Sequence, residues 1–264
     1  MNTTTRDYRV EGVHVQCTEP ASSADRPPLI LVHGGLHGSW NWHRYAPVLG
    51  GQGWACHALD WFGHHQSDGL GEAVFVRRSI ADVTEEISLV ADQLSQTPVL
   101  VGHSMGGLAC LKYAEIHPTA ALILLAPVLP AVIGNTVPGM EIDPAKPWWP
   151  PPFEACRDLF FAGVPEDDAR CYYGLLCAES PRCVAEATGQ DAVDVNLEAI
   201  QCPTLALAGE HDRLTPAPRV QRLAERLAAD YHCYEGRSHS LLIDSEAEAT
   251  AGAIADWLAG QVLN

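Results

Sequence analysis

No apolar stretch of the sequence is long enough to span a bilayer: the most apolar run, Ala120–Gly134, is short and is interrupted by Pro127 and Pro130. Basic residues are also scarce. Sixteen Lys and Arg stand against 33 Asp and Glu, a net charge of −17 at pH 7, so the averaged field repels nucleic acid and anionic membrane surfaces. The first residues, MNTTTRDYRVEG, contain no basic segment followed by an apolar one. No secretory signal is therefore expected, and the cytoplasm is the expected address. The nine cysteines include no C-x-x-C pair, which removes the usual zinc spacing. Without export they are expected to be free thiols acting as small core hydrophobes, although a bridge among the four between residues 156 and 183 stays open. No internal repeat or low-complexity segment is present.

The 264 residues, 47% hydrophobic and 19% charged, suit one globular domain or one domain carrying a large insertion. Short apolar runs bounded by turn residues alternate with helical patterns. Leu29–Val32, Ala55–Leu59, Val99–Val101, Leu122–Leu125 and Thr204–Leu207 read as strands buried on both faces, with a last strand around Tyr231–Tyr234. Ile80, Val83, Ile87, Val90 and Leu94 recur at helical spacing, opposite Asp82, Glu85 and Glu86. Further helices are expected from just after Ser104 to His117, around Val220–Leu227 and over Ala247–Leu258. The pattern is that of an α/β fold, a mostly parallel sheet with helices on both faces. Residues 1–127 and 200–264 are expected to form its core, and residues 128–199, proline-rich and carrying Trp148 and Trp149, an inserted cap or lid.

Gly102-His103-Ser104-Met105-Gly106 is a G-x-S-x-G motif placed after a strand and before a helix. In that setting a sharp turn presents Ser104 as a nucleophile, the plain alternative being a serine that merely caps the helix. A serine hydroxyl needs a base, and the base an orienting acid. Asp212 follows one strand and His239 the next, giving the chain order Ser, Asp, His at the carboxyl ends of strands. Glu210 is the rival acid. An oxyanion hole would take the N–H of Met105 and a second N–H from the loop His33-Gly34-Gly35-Leu36-His37-Gly38. Leu36, His103, Trp148 and Trp149 are the expected pocket residues, with ordinary packing as the alternative for the tryptophans.

At these motifs the sequence resembles the α/β-hydrolase superfamily over nearly its whole length. Asp60–Ser67 looks like that family's D-x-x-G-x-G-x-S turn, with His65 in place of the second glycine. The resemblance implies Gly35 as the second oxyanion donor and a cap over the site. The loop His33–Trp40 is similar to that of the plant methylesterase and hydroxynitrile lyase group. The lyases place a threonine after the first histidine of this loop and a lysine after the catalytic histidine, where this sequence has Gly34 and Ser240. The resemblance thus implies a serine esterase acting on a small to medium, largely apolar ester, lactone or thioester. It needs no metal or organic cofactor. A lyase, or a ligand receptor on the same scaffold, is the alternative.

Overall fold

Eight strands of alternating side-chain direction build the centre of the computed structural model, which describes residues 3–20, 26–134, 137 and 140–263. They are β1 (Thr4–Val10), β2 (Val13–Glu19), β3 (Leu29–Val32), β4 (Cys56–Leu59), β5 (Val99–His103), β6 (Ala121–Leu125), β7 (Thr204–Gly209) and β8 (Asp230–Tyr234). They lie in the order β1-β2-β4-β3-β5-β6-β7-β8. β2 pairs antiparallel with β1 and β4, and all other neighbours are parallel. In β3, Leu29 and Leu31 enter one apolar layer and Ile30 and Val32 the other, because alternate side chains leave opposite faces.

The helices are α1 (Ala46–Gly51), α2 (Glu72–Phe75), α3 (Thr84–Ala91), α4 (Met105–Ala114), α5 (Phe153–Phe160), α6 (Glu166–Tyr173), α7 (Pro181–Ala187), α8 (Ala217–Leu227) and α9 (Ala247–Ala259). Apolar residues of α3, α4 and α8 join the layer on one face of the sheet, and those of α1 and α9 the layer on the other. The expected helix through Ile80–Leu94 is shorter and divided. A 3₁₀ turn over Ile80–Val83, started by a capping box of Ser79 and Asp82, precedes α3. The β1–β2 hairpin has no counterpart among the expected strands. Its two-residue turn places Glu11 at φ +46° and Gly12 at φ +90°, the geometry that matches strand twist in tight hairpins.

Between β6 and β7 the chain inserts α5, α6 and α7, and Trp148 pairs with Glu179 as an isolated antiparallel bridge. Of the expected cap range, Asn135, Thr136, Pro138 and Gly139 lie outside the described residues, as do residues 1, 2, 21–25 and 264 of the expected core. All nine cysteines are free thiols. Among the described residues no helix is long and apolar enough to cross a membrane.

Helix α4 crosses β3 at very close range. A Cβ on Gly106 would lie 2.3 Å from the carbonyl oxygens of Val32 and His33. Both are main-chain atoms that cannot rotate away. Gly106→Ala is expected to cost about 3 kcal/mol of stability, read as a lower urea midpoint with unchanged slope. A midpoint equal to wild type would contradict this packing.

Candidate active site

The parallel register of β5, β6, β7 and β8 brings the loops after β5, β7 and β8 to one edge of the sheet. Ser104 directly follows β5, with φ +53° and ψ −121°. This is a conformation that side chains with a Cβ rarely adopt, at a cost of roughly 1–3 kcal/mol. Neighbouring strands hold it there. The Ser104 N–H donates to Leu125 C=O at 3.0 Å, and Ser104 C=O accepts from Gly107 and Val128 N–H at 3.0 and 2.9 Å.

Asp212 and His239 are both buried, 5% and 3% exposed. His239 Nδ1 donates to Asp212 Oδ2 at 2.8 Å, leaving Nε2 as the ring nitrogen not engaged by the carboxylate. Asp212 Oδ1 accepts from Leu214 and Thr215 N–H at 2.8 and 2.9 Å, and Oδ2 from Thr215 Oγ at 2.7 Å. Burial alone would raise the Asp212 carboxyl, but His239 and these donors outweigh it and hold it below its ordinary value. Glu210 turns elsewhere, its carboxylate accepting from Gly236 N–H at 2.8 Å. His103 Nε2 donates to the main-chain carbonyl of His239 at 3.0 Å. The next residue ties the loop outward: Ser240 Oγ donates to Phe160 C=O at 2.6 Å and to Ala162 C=O at 3.3 Å.

In the loop after β3 two histidine side chains fix the carbonyls of Gly34 and Gly35. His33 Nδ1 donates to Gly34 C=O at 2.7 Å, and Trp61 N–H donates to His33 Nε2 at 3.1 Å, which keeps the proton on Nδ1. His37 Nδ1 donates to Gly35 C=O at 2.6 Å. A planar trans peptide points its N–H opposite its C=O, so holding Gly34 C=O also sets the direction of Gly35 N–H. Leu36 stands at φ +67°. Among the described residues the N–H groups of Gly35 and Met105 have no acceptor.

Gly35, Leu36, His103, Ser104, Met105 and His239 line one cavity. Its other walls include Trp148, Phe160, Val184 and Leu214, and among the described residues no Asp, Glu, Lys or Arg lines it. Trp149 is a correction. It is 68% exposed and lines no part of the cavity, because in extended backbone adjacent side chains face opposite ways and the bridge to Glu179 turns Trp148 inward. Sequence reasoning missed Glu179, His64 and His37. Glu179 and His64 form a buried pair at 3.1 Å, and no motif announces either.

Several imidazoles here are buried. Burial drives His33 and His103 well below their ordinary value and His37 to about 4. Burial would also lower His64, but the Glu179 carboxylate overrides it and raises the group. A histidine held neutral in the fold takes up its proton only on unfolding, so its contribution is lost as pH falls from about 6.5 towards the folded value. His37 alone accounts for about 2 kcal/mol between pH 7 and pH 5. His33 and His103 add to this, and His64 opposes it. The urea midpoint is expected to drop clearly from pH 7 to pH 5. A flat profile would refute the assignment of these rings as neutral.

The chain shares 26% identity over 255 residues with the monoacylglycerol lipase of Mycolicibacterium smegmatis, covering 88% of each protein. With methylesterase 3 of Arabidopsis thaliana it is 32% identical over 99 residues, 34% of this chain and 35% of that one. An esterase of Exiguobacterium antarcticum has the same fold, with a TM-score of 0.73 at 20% identity over 97% of this chain and 100% of that one. The profile of the alpha/beta hydrolase family matches residues 29–253. That match takes in the Ser104, Asp212 and His239 loops and leaves out little more than the N-terminal hairpin and the end of α9; the chain belongs to the alpha/beta hydrolase family.

Proposed function

We propose that the chain is a serine hydrolase that cleaves a carboxylic ester through an acyl-enzyme on Ser104. The observation that carries this reading is a convergence. Ser104, fixed at φ +53°, shares an uncharged cavity with His239, whose Nδ1 is bonded to buried Asp212 at 2.8 Å. The relatives named as a lipase, an esterase and a methylesterase support ester chemistry in particular.

Ser104 Oγ attacks the acyl carbon while His239 Nε2 takes its proton. Asp212 holds the imidazole's tautomer and balances its charge. The Gly35 and Met105 N–H groups receive the oxygen of the tetrahedral intermediate. His239 returns the proton to the leaving alcohol, and water then repeats the sequence to release the acid. The wall of Leu36, Trp148, Phe160 and Val184 carries no charge, which suits a small to medium, uncharged and largely apolar substrate. Residues 128–199 act as a cap over this cavity, contributing Trp148 and Phe160. Ser240, bonded into the insertion, supplies no lysine ammonium of the kind the related lyases use.

The test is labelling with a fluorophosphonate, followed by peptide mapping and steady-state assay on a panel of aryl esters, lactones and acyl thioesters. One adduct on Ser104, with loss of multiple turnover, is expected. An adduct elsewhere without loss of activity overturns the reading. A single acylation with no steady state favours a receptor, and aldehyde release without incorporation of water favours a lyase.

A further inference from the structure

Glu179 has no part in the chemistry described so far, yet it is 1% exposed and fully engaged. Its Oε2 accepts from Leu36 N–H at 3.0 Å and from His64 Nε2 at 3.1 Å, and its Oε1 accepts from Ser180 N–H at 2.8 Å. Its main chain is tied too. Trp148 N–H donates to Glu179 C=O and Glu179 N–H to Trp148 C=O, both at 2.8 Å. The carboxylate therefore has a fixed origin in the β6–β7 insertion, and it reaches the core at one residue of the β3 loop.

The insertion grips that residue at both ends, because Cys177 N–H donates to Leu36 C=O at 3.0 Å. Leu36 stands at φ +67°, a conformation an L-residue leaves when nothing holds it. Its neighbour Gly35 has no Cβ to limit rotation. Resting on the reading of Ser104 as nucleophile and Gly35 N–H as oxyanion donor, the geometry points to Glu179 as a positioning residue. It holds Leu36 in its left-handed conformation and, acting on the peptide after the one that His33 fixes through Gly34 C=O, limits rotation at Gly35, so that the Gly35 N–H is held from both sides only while the insertion is docked. Preorganised direction is what gives such a donor its catalytic value.

Charge fits the same role. Glu179 Oε2 lies 3.2 Å from where a Cβ on Gly35 would stand, close enough for a bare carboxylate to oppose negative charge gathering on the substrate oxygen. The His64 imidazole, buried beside it, donates Nε2–H to Oε2 and is held more basic than usual by that carboxylate. The acceptor is thus supplied without a bare anion at the site.

Glu179→Ala removes the acceptor, and kcat on a 4-nitrophenyl ester is expected to fall by about tenfold to a hundredfold with KM within about twofold. Glu179→Gln keeps an oxygen for Leu36 N–H but turns its NH₂ towards the Ser180 N–H donor, so its kcat is expected to lie between wild type and the alanine variant. A trifluoromethyl ketone, which binds as the tetrahedral adduct, should weaken in the alanine variant by the same factor as kcat. The non-fluorinated ketone should not. Unchanged kcat in a folded Glu179→Ala, a loss confined to KM, or a glutamine variant as slow as the alanine one would each overturn the inference. If the alanine variant does not fold, hydrogen exchange on the wild-type chain still decides: the Leu36 amide should be strongly protected, and rapid exchange there overturns the role. Ser104→Ala serves as the control. Full activity in that variant defeats the nucleophile, whereas Ser104-dependent turnover that ignores Glu179 defeats only the positioning role.

Discussion

Ser104→Ala is expected to lower kcat on an activated aryl ester by about 10⁵-fold while leaving the fold intact. The argument for an intact fold is local. The strained φ of +53° belongs to the main chain, and alanine meets it with the same Cβ that serine has, so the variant adds no backbone cost. The hydrogen bonds that hold the turn, from Ser104 N–H to Leu125 and from Gly107 and Val128 to Ser104 C=O, involve no hydroxyl. Thermal melting should therefore be close to wild type. Only the atom that forms the acyl bond in the proposed mechanism disappears, and with it the proton on which general base catalysis would act. Turnover above about a hundredth of wild type would mean that another group attacks the ester.

Asp212→Asn should cost nearly as much, about 10⁴-fold in kcat, for a reason written in the carboxylate's surroundings. Oδ1 receives two main-chain N–H groups, from Leu214 and Thr215. An asparagine must keep its oxygen there, because turning the amide over would set NH₂ against two donors. Its NH₂ then faces His239 Nδ1, which can answer only as an acceptor. The imidazole proton moves to Nε2, the nitrogen that must be bare to receive the Ser104 proton. The variant should fold, be nearly inert to fluorophosphonate, and still bind a non-hydrolysable ester analogue. Labelling at the wild-type rate would show that Asp212 does not set the tautomer.

Strands β3 to β7 were legible because burial on both faces leaves short, nearly unbroken apolar runs such as Leu29–Val32 and Leu122–Leu125, whereas β8, an edge strand that is nowhere fully buried, has no such run. The loops bearing Ser104 and Asp212 were legible because each joins such a run at its carboxyl end; His239 was found from the chain order Ser, Asp, His instead. The β1–β2 hairpin was not legible. As an edge strand β1 is largely exposed and carries Arg6, Asp7 and Arg9, so it has no apolar period to detect. Trp148 and Trp149 looked alike for a related reason. In a proline-rich segment without periodicity, only a pairing partner far along the chain, Glu179, decides which ring turns inward. Glu179 itself was invisible because its role depends on contacts with Leu36 and His64, which lie 143 and 115 residues away.

The bond from Ser240 Oγ to the Phe160 carbonyl ties one wall of the cavity to the residue beside His239, the proton carrier of the proposed mechanism. A ligand too bulky for the space beside Phe160 is expected to displace the end of α5 and, through Ser240, the adjoining His239. Under the proposed mechanism such a molecule does more than fit badly: it drags the base out of line and switches off its own cleavage. Discrimination by size would then appear as a falling turnover number rather than as weakened binding.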